Sequence, residues 1–365
     1  MKASTRIHEL DLMRGFAMVL ILLLHGSEYI PKHPGLIYAQ HGLGLASLGM
    51  FAFLTGFGLA ESDREAGWTS WMDYARRRFW RVYVPYVAAL AVFVGLFGVL
   101  RLDPVLRLAP WSVTIPIHLA CLQVVMFPRF RQCFTLWYMG LLLLMYAVYP
   151  LLRRMKTARG FLLAAGALLL GALAVRQQFH LIDVRLFLYA PVFFAGILAS
   201  RTGVVPGLLA KWPPFLGSLA LLLFAALYAL FMRLWGGAVI RDRSVGDLSS
   251  FFIAPIAVSW GLILLTLVAG LGCAHFIRSA PRCRVVVRAA EVLSAGAFFI
   301  YLFHRPALAA WTWSADHVLH LASPLKIALL PLVVAGIVAA CAAAERSYTA
   351  WTAGRQGVRA VSRRA

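Results

Sequence analysis

Four ionisable side chains interrupt an apolar run near the start of the chain, DLMRGFAMVLILLLHGSEY: Asp11, Arg14, His25 and Glu28. At about 100° per residue, the eleven steps from Arg14 to His25 bring the two within roughly 20° of one another around a helix and about 16 Å apart along it. Asp11 lies three residues before Arg14 and Glu28 three after His25, the spacing at which helical neighbours touch. The run is about long enough to cross a bilayer, where ionisable groups are costly and mark ion, proton or substrate sites. The chemistry available is acid–base work by an imidazole with a carboxylate beside it, and a cation near the basic end of the same helix.

Three further groups carry chemistry. The segment ARRRFWRVYVP sets Arg76, Arg77, Arg78 and Arg81 at the mouth of a later apolar run, with Arg78 and Arg81 three apart on one helical face. Such a cluster serves either as a topology anchor or as a cradle for a phosphorylated ligand, since guanidinium forks bind phosphate bidentately. Trp137 and Tyr138 open another run that also holds Tyr146 and Tyr149. They suit an interfacial aromatic belt or stacking on a sugar ring. In FFIYLFHRP, Tyr301 and His304 share a face, with Arg305 next in line. A buried histidine is either a satisfied core group or part of a site. Asp316, His317 and His320 follow without a complete metal set, and no metal site is expected.

The elements that must position these residues are membrane helices. The chain of 365 residues is 62% hydrophobic and 13% charged, with a mean hydropathy of +0.80. That composition excludes an ordinary soluble globular protein. The fold class expected is all-α: a polytopic bundle of about ten transmembrane helices, at 12–30, 43–60, 82–100, 134–152, 160–176, 185–201, 214–234, 250–272, 292–313 and 325–343. The formal charge of +21 falls in short segments between apolar runs, so it speaks for orientation and lipid headgroups, with no nucleic-acid partner. Treating 112–127, which contains Pro116 and His118, as an external interfacial or re-entrant segment leaves most cations on one side. Both termini are then cytoplasmic by the positive-inside rule. Lys2 and Arg6 ahead of the first run resemble a signal peptide, but the interrupted run and absent cleavage site argue for a retained span.

The five cysteines form no CxxC or metal spacing. Cys121 and Cys133 are the two that pair if both lie outside the cell. Gly42, Gly44, Gly49, Gly56 and Gly58 in the second run serve close helix packing, or let a neighbouring helix or acyl chain approach the first span.

Taken together, the chain resembles the integral membrane acyltransferase family three, whose members O-acylate bacterial surface glycans and related molecules. The resemblance covers nearly the whole length. It rests first on Arg14, ten residues, then His25, and on Arg78-Phe79-Trp80-Arg81 as the RxxR of the family. MFAFLTGF (Met50 to Phe57), LWYM (Leu136 to Met139) with Tyr149-Pro150, and YLFHRP (Tyr301 to Pro306) agree more loosely. Thr55 stands where many members have Ser, and Leu142 where one subgroup has Glu. The soluble esterase-like domain of many members is not expected here.

The resemblance implies a membrane domain over 1–345 with a basic cytoplasmic tail at 346–365, in a bacterial inner membrane. It implies an acyl-CoA donor, acetyl-CoA first among them, with no tightly bound cofactor. Arg14, Arg78 and Arg81 would hold the donor's phosphates. His25, oriented by Glu28, would act as general base or as an acyl-carrying nucleophile. Trp137, Tyr138, Tyr301 and His304 would contact a glycan or lipid-linked sugar acceptor. Membrane lipids and polysaccharide assembly machinery complete the expected partners. A transporter or flippase of a lipid-linked sugar is the competing reading, because intramembrane Arg, His and Glu also line transport paths.

Overall fold

The computed structural model describes residues 7–29, 34–66, 70–99, 111–126, 135–213, 215–241 and 253–362, and every regular element among them is helical. Helix α1 (His8–Gly26) ends in a 3-10 turn, Ser27–Tyr29, and α2 spans Pro34–Ala66. Next come α3 (Trp71–Arg78) and α4 (Val84–Phe93), joined by a π-helical stretch at Phe79–Tyr83. Two short helices, α5 (Trp111–Leu119) and α6 (Gln123–Met126), precede α7 (Trp137–Arg153), α8 (Ala158–Phe179) and α9 (Val184–Thr202). The remainder is α10 (Val204–Ala210), α11 (Leu216–Arg241), α12 (Ile253–Ser279), α13 (Arg284–Ala295), α14 (Ala297–His317) and α15 (Ser323–Ser362).

Seven of these rods are long and apolar enough to cross a membrane: α2, the continuous α3–α4, α8, α9, α11, α12 and α15. The pair α13 and α14, bent by 80°, makes an eighth. The chain is therefore a multi-pass helical membrane protein. The other two expected spans are helices but fall outside that set. The first, α1, carries Glu9, Asp11 and Arg14 in its opening turns, and α7 is an apolar helix of 17 residues. The segment 112–127 is too short to cross. It folds instead as α5 and α6, tied inward by Tyr86 Oη donating to the His118 carbonyl at 2.9 Å and by Ile182 and Asp183 N–H donating to Val125 and Val124. Helix α15 extends past residue 345 as far as Ser362. Cys133 lies outside the described residues, and with it the expected pairing to Cys121.

The centre of the bundle is α1, α2, α9 and α12. Met13, Met18 and Ile21 of α1 are completely covered. Glycine decides how closely two of these helices approach. A Cβ at Gly56 would land on the backbone of Phe193, and one at Gly196 on the backbone of Phe53. Neither backbone can yield, so α2 and α9 meet as small-residue faces do in membranes. By contrast α8, α11 and α15 expose Leu162, Leu163, Leu170, Leu221, Leu222 and Leu332, the apolar surface that lipid tails solvate without penalty.

Antiparallel packing gathers the basic segments at one end. There Glu9 of α1 pairs with Arg278 of α12 at 2.8 Å. Asp63, near the end of α2, pairs with Arg153 of α7 at 2.7 Å and accepts from Tyr149 at 3.1 Å. Ser200 of α9 donates to Glu61 at 2.8 Å. Around the opposite end, Gln40 donates to Ser27 at 3.0 Å and Trp260 Nε1 reaches the carbonyls of Phe187 and Leu188. Helix α1 thus runs from the cation-rich end to the far end, carrying His25 with it.

Candidate functional site

At the far end of α1, His25 Nδ1 lies 2.9 Å from Glu28 Oε1. The carboxylate only accepts, so Nδ1 carries the proton and Nε2 is left with its lone pair outward from that contact. The second oxygen of Glu28 is held by Arg305 of α14 at 3.0 Å. One carboxylate therefore orients the imidazole and is itself held by a guanidinium that is only 12% exposed. His304, the residue before Arg305, packs its ring on His25 with centroids 4.9 Å apart and planes inclined by 37°. Two consecutive residues of α14 thus meet the end of α1. This is the arrangement of a base, its orienter and the orienter's counter-charge.

At the other end of the helix, Arg14 Nη1 contacts Asp11 at 3.2 Å and remains 35% exposed. Arg81, Glu345 of α15 and Tyr146 of α7 lie within its electrostatic reach, and a Cβ placed on Gly58 of α2 would meet its guanidinium at an ordinary van der Waals distance of 3.9 Å. Arg78 spreads its guanidinium over Tyr74 and Tyr146, at 5.6 and 5.0 Å from the ring centroids. The expected common face of Arg78 and Arg81 is not what forms. The π-helical stretch begins at Phe79, and its wider i to i+5 turn rotates the two side chains apart. Arg78 turns in toward the tyrosines, while Arg81 stays exposed beside Arg14 and Glu345. Tyr146 lies under Arg78 and within electrostatic reach of Arg14. Arg77 leaves the cluster, forked onto Asp73 at 2.9 and 3.3 Å.

From the His25 end an aromatic column runs inward. Tyr138 meets Tyr301 edge-on at 5.7 Å. Tyr301 donates to the Thr135 carbonyl and lies 6.1 Å from His304. Tyr138, Tyr301 and His304 are all buried, so they line the interior rather than an external belt. Trp137 is buried as well. Arg185 stacks on it at 4.1 Å, fixed by Asp183 at 2.7 and 2.8 Å, and this occupies one face of the indole. Ring contacts therefore run from His25 through His304 and Tyr301 to Tyr138, and Tyr146, under Arg78, lies further along the same helix α7.

Arg305 and Tyr146 stand in segments that the sequence already singled out, but without the partners they have here. Glu345 had no signal beyond its type, because its partners lie far away in the chain. Glu345 accepts from the Phe299 amide at 3.2 Å, so it caps the first turn of α14 while facing Arg14 and Arg81. At the C-terminal end of α14 Asp316 is paired with Lys326, and His317 stacks on Trp313 at 5.2 Å.

A family model described as an acyltransferase domain, that of acyltransferase family 3, matches residues 7–346. The chain belongs to that family. The match begins at the residue before α1 and closes just after Glu345, so it takes in both ends of α1. No curated protein and no solved structure gives a significant match. The protein is thus a membrane acyltransferase, with ionisable interior groups on α1 and α14.

Proposed function

We propose that this membrane acyltransferase moves an acyl group, acetyl in the simplest case, from acyl-CoA on the cytoplasmic side to a hydroxyl of an exported or surface glycan. In this reading ten helices cross a bacterial inner membrane, both termini face the cytoplasm, and the basic end of the bundle is the inner one, as the positive-inside rule requires. Arg14, Arg78 and Arg81 hold the donor's phosphates, and its arm enters beside Tyr146. A glycan or lipid-linked sugar arrives from the other side, against His304, Tyr301 and Tyr138, with Trp137 behind them. His25 Nε2 takes the hydroxyl proton as the oxygen attacks the thioester carbonyl. The ester C–O bond forms, the C–S bond breaks, and the proton passes to the departing thiolate. Glu28 stabilises the transient imidazolium. CoA enters and leaves as a substrate, with no resident cofactor.

The observation that carries this reading is the Glu28–His25 pair at 2.9 Å, placed by one helix whose opposite end presents Arg14 to three other chain segments. The test is acetyl-CoA turnover by purified protein in detergent, with no gradient across a membrane. Release of CoA thiol with ester formation on added glycan supports the enzyme. Failure to bind acetyl-CoA at all would overturn it in favour of a transport role.

A further inference from the structure

His304 has a nitrogen that its own surroundings do not satisfy. Its Nδ1 lies 2.9 Å from the carbonyls of both Ile300 and Tyr301. Carbonyls only accept, so Nδ1 bears the proton and neutral Nε2 is an acceptor. The residue is fully buried, and Nε2 has no hydrogen-bond partner among the described residues. Leaving a buried acceptor unmatched is unfavourable unless a ligand or water supplies the donor. The adjacent ring, 4.9 Å away, is His25, whose Nδ1 is likewise committed to donation and whose Nε2 is likewise an acceptor. Two neutral imidazoles cannot satisfy each other here, since each has its single proton engaged elsewhere. What fits them is a molecule bringing two O–H donors at neighbouring positions.

We infer that His25 and His304 form a two-nitrogen clamp for adjacent hydroxyl groups of the acceptor. One hydroxyl donates to His25 Nε2 and is acylated, and its neighbour donates to His304 Nε2 and is not. The inference rests on the acyl-transfer reading above and narrows its acceptor to a polyol with vicinal hydroxyls, as on a pyranose ring. His304 then discriminates among acceptors by rejecting those that lack the second donor, because such an alcohol leaves Nε2 buried and unmatched.

The test uses two alcohols with the same number of non-hydrogen atoms, ethane-1,2-diol and propan-1-ol, with acetyl-CoA and the full chain in detergent. Wild-type protein should favour the diol by about tenfold or more in kcat/KM, as a hydrogen bond lost to a buried group implies. His304→Asn keeps a donor near the Nδ1 position but removes the acceptor, and should bring the two alcohols to parity. His304→Gln offers an amide oxygen near the Nε2 position and should restore part of the preference. A purely structural histidine would lower both rates together and leave their ratio unchanged. Equal use of the alcohols by wild type, a diol preference that survives in His304→Asn, or transfer to neither alcohol by protein that binds acetyl-CoA would each overturn the clamp. Absence of acetyl-CoA binding overturns the underlying reading instead, so the two failures are distinguishable.

Discussion

At its basic end α1 presents Arg14, one-third exposed, within electrostatic reach of Asp11, Arg81, Glu345 and Tyr146, the ring over which Arg78 lies. At the other end one carboxylate, Glu28, is shared between His25 and Arg305, both only 12% exposed. The first cluster has more cations than anions; in the second, where Glu28 is about as exposed as Arg14 (33% against 35%), each charge is already matched. A cluster with surplus cations can exchange a weak internal partner for an incoming phosphate, and salt screens it. A matched cluster holds geometry instead, and loses much when Glu28 goes, because the Arg305 guanidinium that it holds is largely buried.

Substitutions can break this contrast. The largest effect belongs to His25→Ala, which should lower transfer by about 10²–10⁴-fold at saturating acetyl-CoA while insertion and abundance are kept. Wild-type ester formation by that variant would move the chemistry away from α1. Glu28→Gln comes next, with kcat reduced on the order of 10²-fold, since the imidazolium loses its counter-charge and Arg305 its partner. The double variant Glu28→Gln with Arg305→Gln should cost less than the two singles combined, as contacting residues do. Strict additivity in that cycle would deny that the three residues act as a unit. Replacing Arg78 and Arg81 with Gln should raise the acetyl-CoA KM about tenfold with kcat nearly constant, an effect that shrinks as salt is added. A fall in kcat alone would assign these arginines to the chemistry. The smallest effect is expected for Gly58→Ala, less than about twofold on KM, because a Cβ there meets Arg14 only at 3.9 Å. Gly56→Ala, two residues earlier, should instead depress the yield of folded protein, because its Cβ has only the unyielding backbone of α9 to meet.

Much of the first helix could be read from residue order alone. Asp11 and Arg14, like His25 and Glu28, are three apart, and helix periodicity brings each pair together wherever the helix sits. The shared orientation of Arg14 and His25 follows from the same periodicity. The ten apolar runs each correspond to helical structure, since hydrophobicity at membrane length leaves the backbone few other ways to satisfy its hydrogen bonds. The RxxR segment was less legible. An α-helical count puts Arg78 and Arg81 on one face, but the π-helical turn at Phe79–Tyr83 changes the count, and nothing in FWRVY signals it. The segment at 112–127 is doubtful as a span from its length and Pro116, and charge bias sets it aside, but its ties to Tyr86, Ile182 and Asp183 were not readable.

Local order and composition by themselves determined an all-helical membrane chain, its basic and apolar alternation, and the carboxylate beside each of the two α1 residues that matter most. Only the tertiary structure decided that His304 rests on His25, that Arg305 grips Glu28, and that Glu345 and Tyr146 join the arginines. The physical reason is distance along the chain: contacts within one helical turn are set by geometry that every helix shares. Contacts between residues 25 and 304, or 14 and 345, depend on which helices pack together. That packing is governed by small-residue faces such as Gly56 against Gly196, whose partners no local pattern names.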